Sequence, residues 1–307
     1  MALAATLTPD SDGVAQAAAL LRAGRLVAFP TETVYGLGAD ARDGTAVAAI
    51  YAAKGRPSFN PLIVHVADMA QAQAIARFDD TAQRLADAFW PGPLTLVLPL
   101  APDHGIASLV TAGRDTVALR IPGHPLAQEL LRAFGGPVAA PSANPSGRIS
   151  PTRAAHVLAG LGDQINAVLD GGACPVGLES TIVGGHPLAL LRAGGVAVED
   201  IEAVTGPLAA TGPEITAPGQ LAAHYAPRVP LRLNAATAHV GETYVGFGPG
   251  TFDLNLSNTG DLAEAAANLF DMLHALDARG APAAIAPIPD TGLGRAINDR
   301  LRRAAVR

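Results

Sequence analysis

The sequence is short of cysteine, lysine and long apolar runs, and each shortage excludes something. Cys174 is the only cysteine among 307 residues, which rules out an internal disulfide and a cysteine-based zinc cluster. No stretch approaches the roughly 20 consecutive apolar residues that a membrane-spanning helix needs. The start has no positively charged segment and soon meets Asp10 and Asp12, so a secretory signal is not expected. A cytoplasmic protein with no membrane partner is the expectation. The eight histidines show no H-E-x-x-H or paired metal-ligand spacing. There is no G-x-S-x-G nucleophile elbow and no Walker phosphate loop.

A basic footprint is also lacking. Net charge is −6, with residues 1–207 carrying 13 Lys+Arg against 18 Asp+Glu and residues 208–307 carrying 8 against 9. An obligate nucleic-acid binder usually shows the opposite. Arg295, Arg300, Arg302, Arg303 and Arg307 make the end locally basic, which reads as a solvated helix face.

What is present is a core-forming chain, 49% hydrophobic and 16% charged, long enough for a large domain plus a small one. Short apolar runs at 26–29, 62–66, 94–98, 117–121, 181–183 and 188–192 read as strands. Helical patterns lie between them, at 12–21 (capped by Asp12), 45–53, 81–89, 124–134, 152–161 and 198–204. This alternation predicts an α/β architecture with a substantial sheet over residues 1–207. Residues 208–230 follow Pro207 and are punctuated by Gly212, Pro213, Pro218, Gly219, Pro227 and Pro230; they read as a linker. A compact βα set over 231–307 reads as a small second α/β domain.

Several segments could carry chemistry. Pro-Thr-Glu-Thr-Val-Tyr-Gly at 30–36 follows a strand, and in extended chain Thr31 and Thr33 share a side opposite Glu32. It reads either as a strand-to-turn junction or as a polar ligand site outside the sheet. Of 21 basic residues only Lys54 is a lysine. In an arginine-biased chain that survival suggests a need for a compact ammonium, unless it is chance. Lys54 and Arg56, with Asn60 and His65 close by, fit phosphate binding, although His65 on an apolar strand could equally be a satisfied core histidine. Arg120 inside a strand demands an anion, from the protein or from a substrate. Hydroxyl- and amide-rich loops at 141–150 and 179–181, and Arg192 at a strand end, add donors that turn chemistry alone could also explain.

Taken together and in order, these segments resemble the threonylcarbamoyl-AMP synthase family, the YrdC-like proteins, in its longer form. The matching stretches are 29–38, 54–65, 91–95, 120–122, 141–144, 179–183 and 191–194. His-Tyr-Ala-Pro at 224–227 and Gly-Leu-Gly-Arg-Ala-Ile-Asn-Asp-Arg at 292–300 match the longer form. The resemblance implies an open twisted mixed sheet with helices, a smaller C-terminal Rossmann-like α/β domain, and a linker lying over the active site. It implies that L-threonine, bicarbonate or CO₂, and ATP give threonylcarbamoyl-AMP and pyrophosphate. That product supplies the group added to the tRNA adenosine next to the anticodon. By resemblance, Thr33, His65, Arg120, Ala140 (through its backbone) and Ser180 would hold threonine. Arg56, Asn60, Thr116, Ser142, Ser150, Arg192 and Tyr225 would hold ATP. Lys54 and Arg56 would be the catalytic cations, with Mg²⁺ carried by ATP and no protein metal site. The product would pass to the tRNA threonylcarbamoyltransferase machinery, with weak or no direct tRNA binding. Other readings are a hydrogenase-maturation-type carbamoyl-adenylate former, which one cysteine disfavours, a non-catalytic RNA binder, and an amino-acid sensor with a dead site.

Overall fold

The computed structural model describes residues 3–210 and 224–306; the middle of the expected linker, residues 211–223, lies outside the described residues. In the larger sheet the strands are β1 (Ala5–Leu7), β2 (Val27–Phe29), β3 (Gly36–Asp40), β4 (Ile63–His65), β5 (Leu94–Pro99), β6 (Thr116–Arg120), β7 (Val138–Ala139), β8 (Ala167–Leu169), β9 (Thr181–Gly184) and β10 (Ala189–Arg192). The helices among them are α1 (Ser11–Arg22), α2 (Gly44–Lys54), α3 (Met69–Ile75), α4 (Asp80–Phe89), α5 (Ser108–Thr111), α6 (Pro125–Phe134), α7 (Ala154–Leu161) and α8 (Val198–Thr205).

The ten strands form one mixed sheet in the order β1-β8-β2-β3-β7-β4-β6-β5-β9-β10. Alternation along the strands feeds two cores. Val27 and Phe29 pack on one face with Leu21 of α1 and Leu130, Leu131 and Phe134 of α6. Ala28, Leu37 and Ala39 pack on the other with Ile50 of α2, Leu85 of α4 and Val157 of α7. Strands β4 and β6 turn Val64 and Leu119 to the helix-covered core, while Ile63 and Ala118 on their other face pack with Ile182, Val97 and Leu191 of neighbouring strands, and their ends are where polar groups can emerge.

A second sheet is wholly parallel, with β11 (Leu231–Arg232), β12 (Thr243–Gly246), β13 (Leu254–Asn255) and β14 (Ala283–Ile285) in the order β11-β14-β12-β13. Helices α9 (Leu262–Arg279) and α10 (Leu293–Ala305) complete it. Its core of Leu269, Phe270, Leu273, Ile297 and Leu301 also takes in Val34, Ile149 and Leu178 of the large domain and Tyr225. The two domains therefore share apolar surface.

Three expectations change. Helix α1 is capped by Asp10, whose Oδ1 accepts from the Gly13 N–H at 2.9 Å, rather than by Asp12; the cap sits outside the first turn, where its side chain reaches an orphan donor. Helix α7 starts at Ala154 because Thr152 is turned to the second domain, donating to Asp271 Oδ1 at 3.0 Å. Residues 30–35 are not extended. The Thr31 hydroxyl donates to Val34 O at 2.7 Å and accepts from the Thr33 and Val34 N–H groups at 3.2 Å. This side-chain-to-backbone turn reverses the chain into β3, antiparallel to β2. No helix among the described residues is long and apolar enough to cross a membrane.

Candidate active site

Where β4, β6 and β7 end, the loops after them and the turn at 31–35 border a cleft whose empty space, counting that open to solvent, is about 560 Å³. It is lined by Thr33, Arg56, His65, Arg120, Ala140, Ser142, Ser180, Arg192 and Tyr225, together with Glu179 and His224. Nine residues named from the sequence thus meet in one place, although they span 192 positions between Thr33 and Tyr225.

Arg120 closes β6 beside His65 of β4, its register partner. The guanidinium is buried and organised from three directions. Nε donates to Gly92 O at 3.1 Å, Nη1 to Thr33 Oγ1 at 2.8 Å, and Nη2 lies 2.6 Å from Glu32 Oε1. The anion that Arg120 requires is therefore Glu32, on the turn, and the side expected to face away from the site is engaged with it. Burial alone would raise the Glu32 carboxyl, but Arg120 and the Gly123 N–H outweigh it and lower its pKa. Hydrogen bonding then runs in one direction. Thr33 accepts from Arg120 and, 2.7 Å from Thr31 Oγ1, donates onward, because the Thr31 proton is committed to Val34 O. The Thr33 oxygen keeps a lone pair for a further donor.

His65 is buried, and its Nδ1 has no partner within the protein. Burial and then Arg120 push its imidazole down to about 3, so it is neutral at ordinary pH. Ala140 N–H is not open to a ligand, since it donates to Ile63 O at 2.9 Å. Ser180 Oγ lies 2.7 Å from Thr95 Oγ1, and Arg192 Nη2 donates to Ser180 O at 2.9 Å and to its Oγ at 3.2 Å. Arg56 is fixed by donation to Pro61 O at 2.9 Å, and burial lowers its pKa to about 10.

Four of the expected residues are placed differently. Lys54, at the end of α2, does not line the cavity. Its buried ammonium donates to Ser142 O at 2.5 Å and to Asn144 O, bracing the loop after β7; burial and Arg56 lower its pKa well below the ordinary lysine value. Asn60 is buried with Oδ1 unpartnered, while its carbonyl accepts from Arg56 Nε at 3.3 Å. Ser150 is fully buried behind the wall, donating to Glu179 Oε1 at 2.5 Å. Thr116, at the other end of β6 from Arg120, lines a separate cavity with Leu98, Pro99 and His186. Strand length separates it from the site, because four residues of extended chain span roughly 13 Å.

Sequence reasoning misses four groups that the structure brings to the site: Glu32, Glu179, His224 and Arg300. Each sits inside a motif already singled out. Arg300 belongs to the run that reads as a solvated helix face, yet it is fully buried. Its position is legible in hindsight, since Ile297, Arg300, Leu301 and Ala304 fall on one helical stripe. Tyr225, at φ 63°, packs 4.1 Å from the His224 ring and 5.5 Å from that of Phe270 of α9.

Comparison with known proteins places the chain in a family. The family model described as "Telomere recombination" matches residues 19–194, and that described as "Threonylcarbamoyl-AMP synthase, C-terminal domain" matches residues 196–306. A Bacillus subtilis protein named threonylcarbamoyl-AMP synthase is 43% identical, over 97% of this chain and 94% of its own. A Pyrococcus abyssi protein of the same name is 41% identical over 94% of this chain and 93% of its own. The crystal structure of P. abyssi Sua5 complexed with L-threonine superposes with a TM-score of 0.90 at 37% identity, covering 99% of this chain and 98% of that one. E. coli YciO, at 22% identity and a TM-score of 0.57, shares the fold over 63% of this chain. With both family models matched and full-length relatives above 40% identity, this chain belongs to the threonylcarbamoyl-AMP synthase family.

Proposed function

We propose that the cavity joins L-threonine, bicarbonate or CO₂ and ATP into threonylcarbamoyl-AMP and pyrophosphate, a nucleotidyl transfer that feeds tRNA modification. The observation that carries this is the pairing of a polar pocket holding one buried arginine with two further guanidinium groups. Thr33, His65, Arg120 and Ser180 form the first; Arg56 and Arg192 form the second.

Threonine's ammonium fits the acceptors. The Thr33 oxygen has a lone pair to spare, and the neutral His65 ring has an unpartnered nitrogen; Ala140 would act through its carbonyl, its N–H being committed to Ile63 O. Its carboxylate fits the outer N–H groups of Arg120, whose inner ones are held by Gly92, Thr33 and Glu32. Once the ammonium has given a proton to solvent and the free amine has taken up CO₂ with loss of a second proton, the carbamate oxygen would attack the α-phosphorus and the bond to the pyrophosphate oxygen would break. Such a step requires alignment and charge neutralisation, with no protein nucleophile. Arg56, Arg192 and the Ser142 loop would supply these, and Tyr225 would cover the nucleotide. Lys54 would act by fixing the Ser142 loop from behind, and Asn60 by holding Arg56 through its carbonyl; Thr116 is given no part. Ser150 would act through Glu179.

Mg²⁺ would arrive with ATP as part of the substrate. Glu179 in the cavity lining and Glu32 behind it are both engaged by arginine, so phosphate oxygens and water would supply its ligands. The test is pyrophosphate release from ATP and bicarbonate with L-threonine, L-serine or no amino acid. Threonine-dependent release is expected, and release independent of any amino acid would contradict the reading.

A further inference from the structure

Glu179 presents a difficulty to any site for a triphosphate. It lines the same cavity as Arg56 and Arg192, and an ionised carboxylate there repels phosphate. Its charge is nonetheless firmly held. Burial would raise the carboxyl, but Arg300, Arg192 and the Ser150 hydroxyl together bring it down to about 2. The group that dominates this balance comes from the other domain.

Arg300 sits on α10, fully buried, and its donors are divided among three parts of the molecule. Nε donates to Glu179 Oε2 at 2.8 Å, Nη2 to Ala193 O of the large domain at 2.9 Å, and Nη1 to Asp299 of its own helix at 2.8 Å. Its guanidinium carbon also lies 5.1 Å from the centre of the Tyr225 ring, close enough for cation–π attraction. One side chain of the second domain thus meets the carboxylate of the cavity wall, the strand end beside Arg192, and a tyrosine of the cavity lining.

We infer that Arg300 is a positioning residue of the catalytic site. From the second domain it neutralises Glu179 behind the cavity wall and seats the Tyr225 ring, so that the nucleotide half of the site is incomplete without α10. This rests on the proposed reaction for the identity of the ligand. A guanidinium suits the task better than an ammonium, because a planar fork can hold a carboxylate, a carbonyl and an aromatic face at once. Removing it deprives a buried carboxylate facing incoming phosphates of its ion-pair partner, with only the Ser150 hydroxyl and the nearby Arg192 left to offset the charge.

The measurement is equilibrium binding of ATP to the full-length protein, with thermal melting alongside. R300M is expected to weaken ATP binding at least tenfold. E179Q/R300M should recover most of that loss, because it removes the charge that R300M exposes; a merely structural role for Arg300 would make the two changes add. R300K keeps the charge without the fork and should fall between wild type and R300M, which preserves a reading if R300M melts too early to assay. R295M is the control: it breaks the exposed contact of the same helix with Glu199, 3.1 Å away, and should leave ATP affinity within twofold. The inference is overturned if R300M or R300K binds ATP as wild type does, or if the double variant is no better than R300M. The two readings fail differently. A wild type that binds ATP yet releases no pyrophosphate with threonine removes the proposed reaction alone, and one that binds no ATP removes both.

Discussion

Two buried arginine–glutamate pairs border the same cavity, and they are turned opposite ways. In Arg120–Glu32 the arginine lines the cavity and the carboxylate stands behind it; in Glu179–Arg300 the carboxylate lines it and the arginine stands behind. The first pair is made within one domain, between the end of β6 and the turn after β2. The second joins the domains, from α10 to the segment before β9. A buried pair is only weak evidence of stability, because desolvation offsets much of the attraction. The orientation of each pair is the more informative property. In the proposed reaction the first would show the substrate a cation and the second would withhold an anion from it.

Breaking the first pair should have the largest effect. Arg120→Met removes the cation proposed to meet threonine and leaves Glu32 buried without its ion-pair partner, which costs about 3–5 kcal/mol for a pair of this kind. Threonine-dependent pyrophosphate release should fall by about a thousandfold, and the melting temperature should drop with it. Arg300→Met should damage ATP binding selectively, by the smaller factor given above. A pair that served only to hold the fold would lower melting temperature without separating the two substrates.

Acid should break the molecule in two stages. His65 and His224 are held down at about 3 by burial, against about 6.5 when unfolded. The unfolded chain therefore binds those protons first, and stability, complete above about 6.5, declines as pH falls toward 3. Glu179 is depressed to about 2 from 4.5, so its contribution is complete above about 4.5 and lost as pH falls through 2. Urea melts between pH 7.5 and 4 should show the first stage. Glu179→Gln should flatten the profile only below about 4.5, and flattening above pH 6 would contradict the assignment.

The smallest effect is expected where an arginine pair is exposed. Arg295 and Glu199 are each 47% exposed in their side chains, and such pairs contribute at most about 1 kcal/mol. Arg295→Met should shift the melting temperature by no more than a few degrees. A larger loss would mean that domain docking depends on the rim of α10 rather than on its buried stripe.

Much of this is legible in the sequence where local rules apply. Apolar runs locate β2, β4, β5, β6, β9 and β10 to within a residue or two, since a buried strand has to be apolar on both faces. Strands β1, β7 and β8 escape such a reading because two or three residues carry no pattern of their own. Strand β3 escapes it because Gly-Leu-Gly-Ala-Asp has a turn-like composition. Their places are supplied by tertiary pairing, with β8 set between β1 and β2 and β7 between β3 and β4. In the site, Arg120 is legible as a charge that must have a partner, but the partner is not, because Glu32 reaches it only through the Thr31 turn. Lys54 stands out by composition, yet nothing local says that two carbonyls claim its ammonium. Arg300 is hidden for the converse reason, a charge run concealing one member on the apolar stripe.

The most direct measurement is pyrophosphate release by the wild-type chain, followed with L-threonine, with L-serine and with neither, in saturating ATP, Mg²⁺ and bicarbonate. Release is expected with threonine, much slower release with serine and none without an amino acid. Equal release in all three mixtures would contradict the proposed reaction.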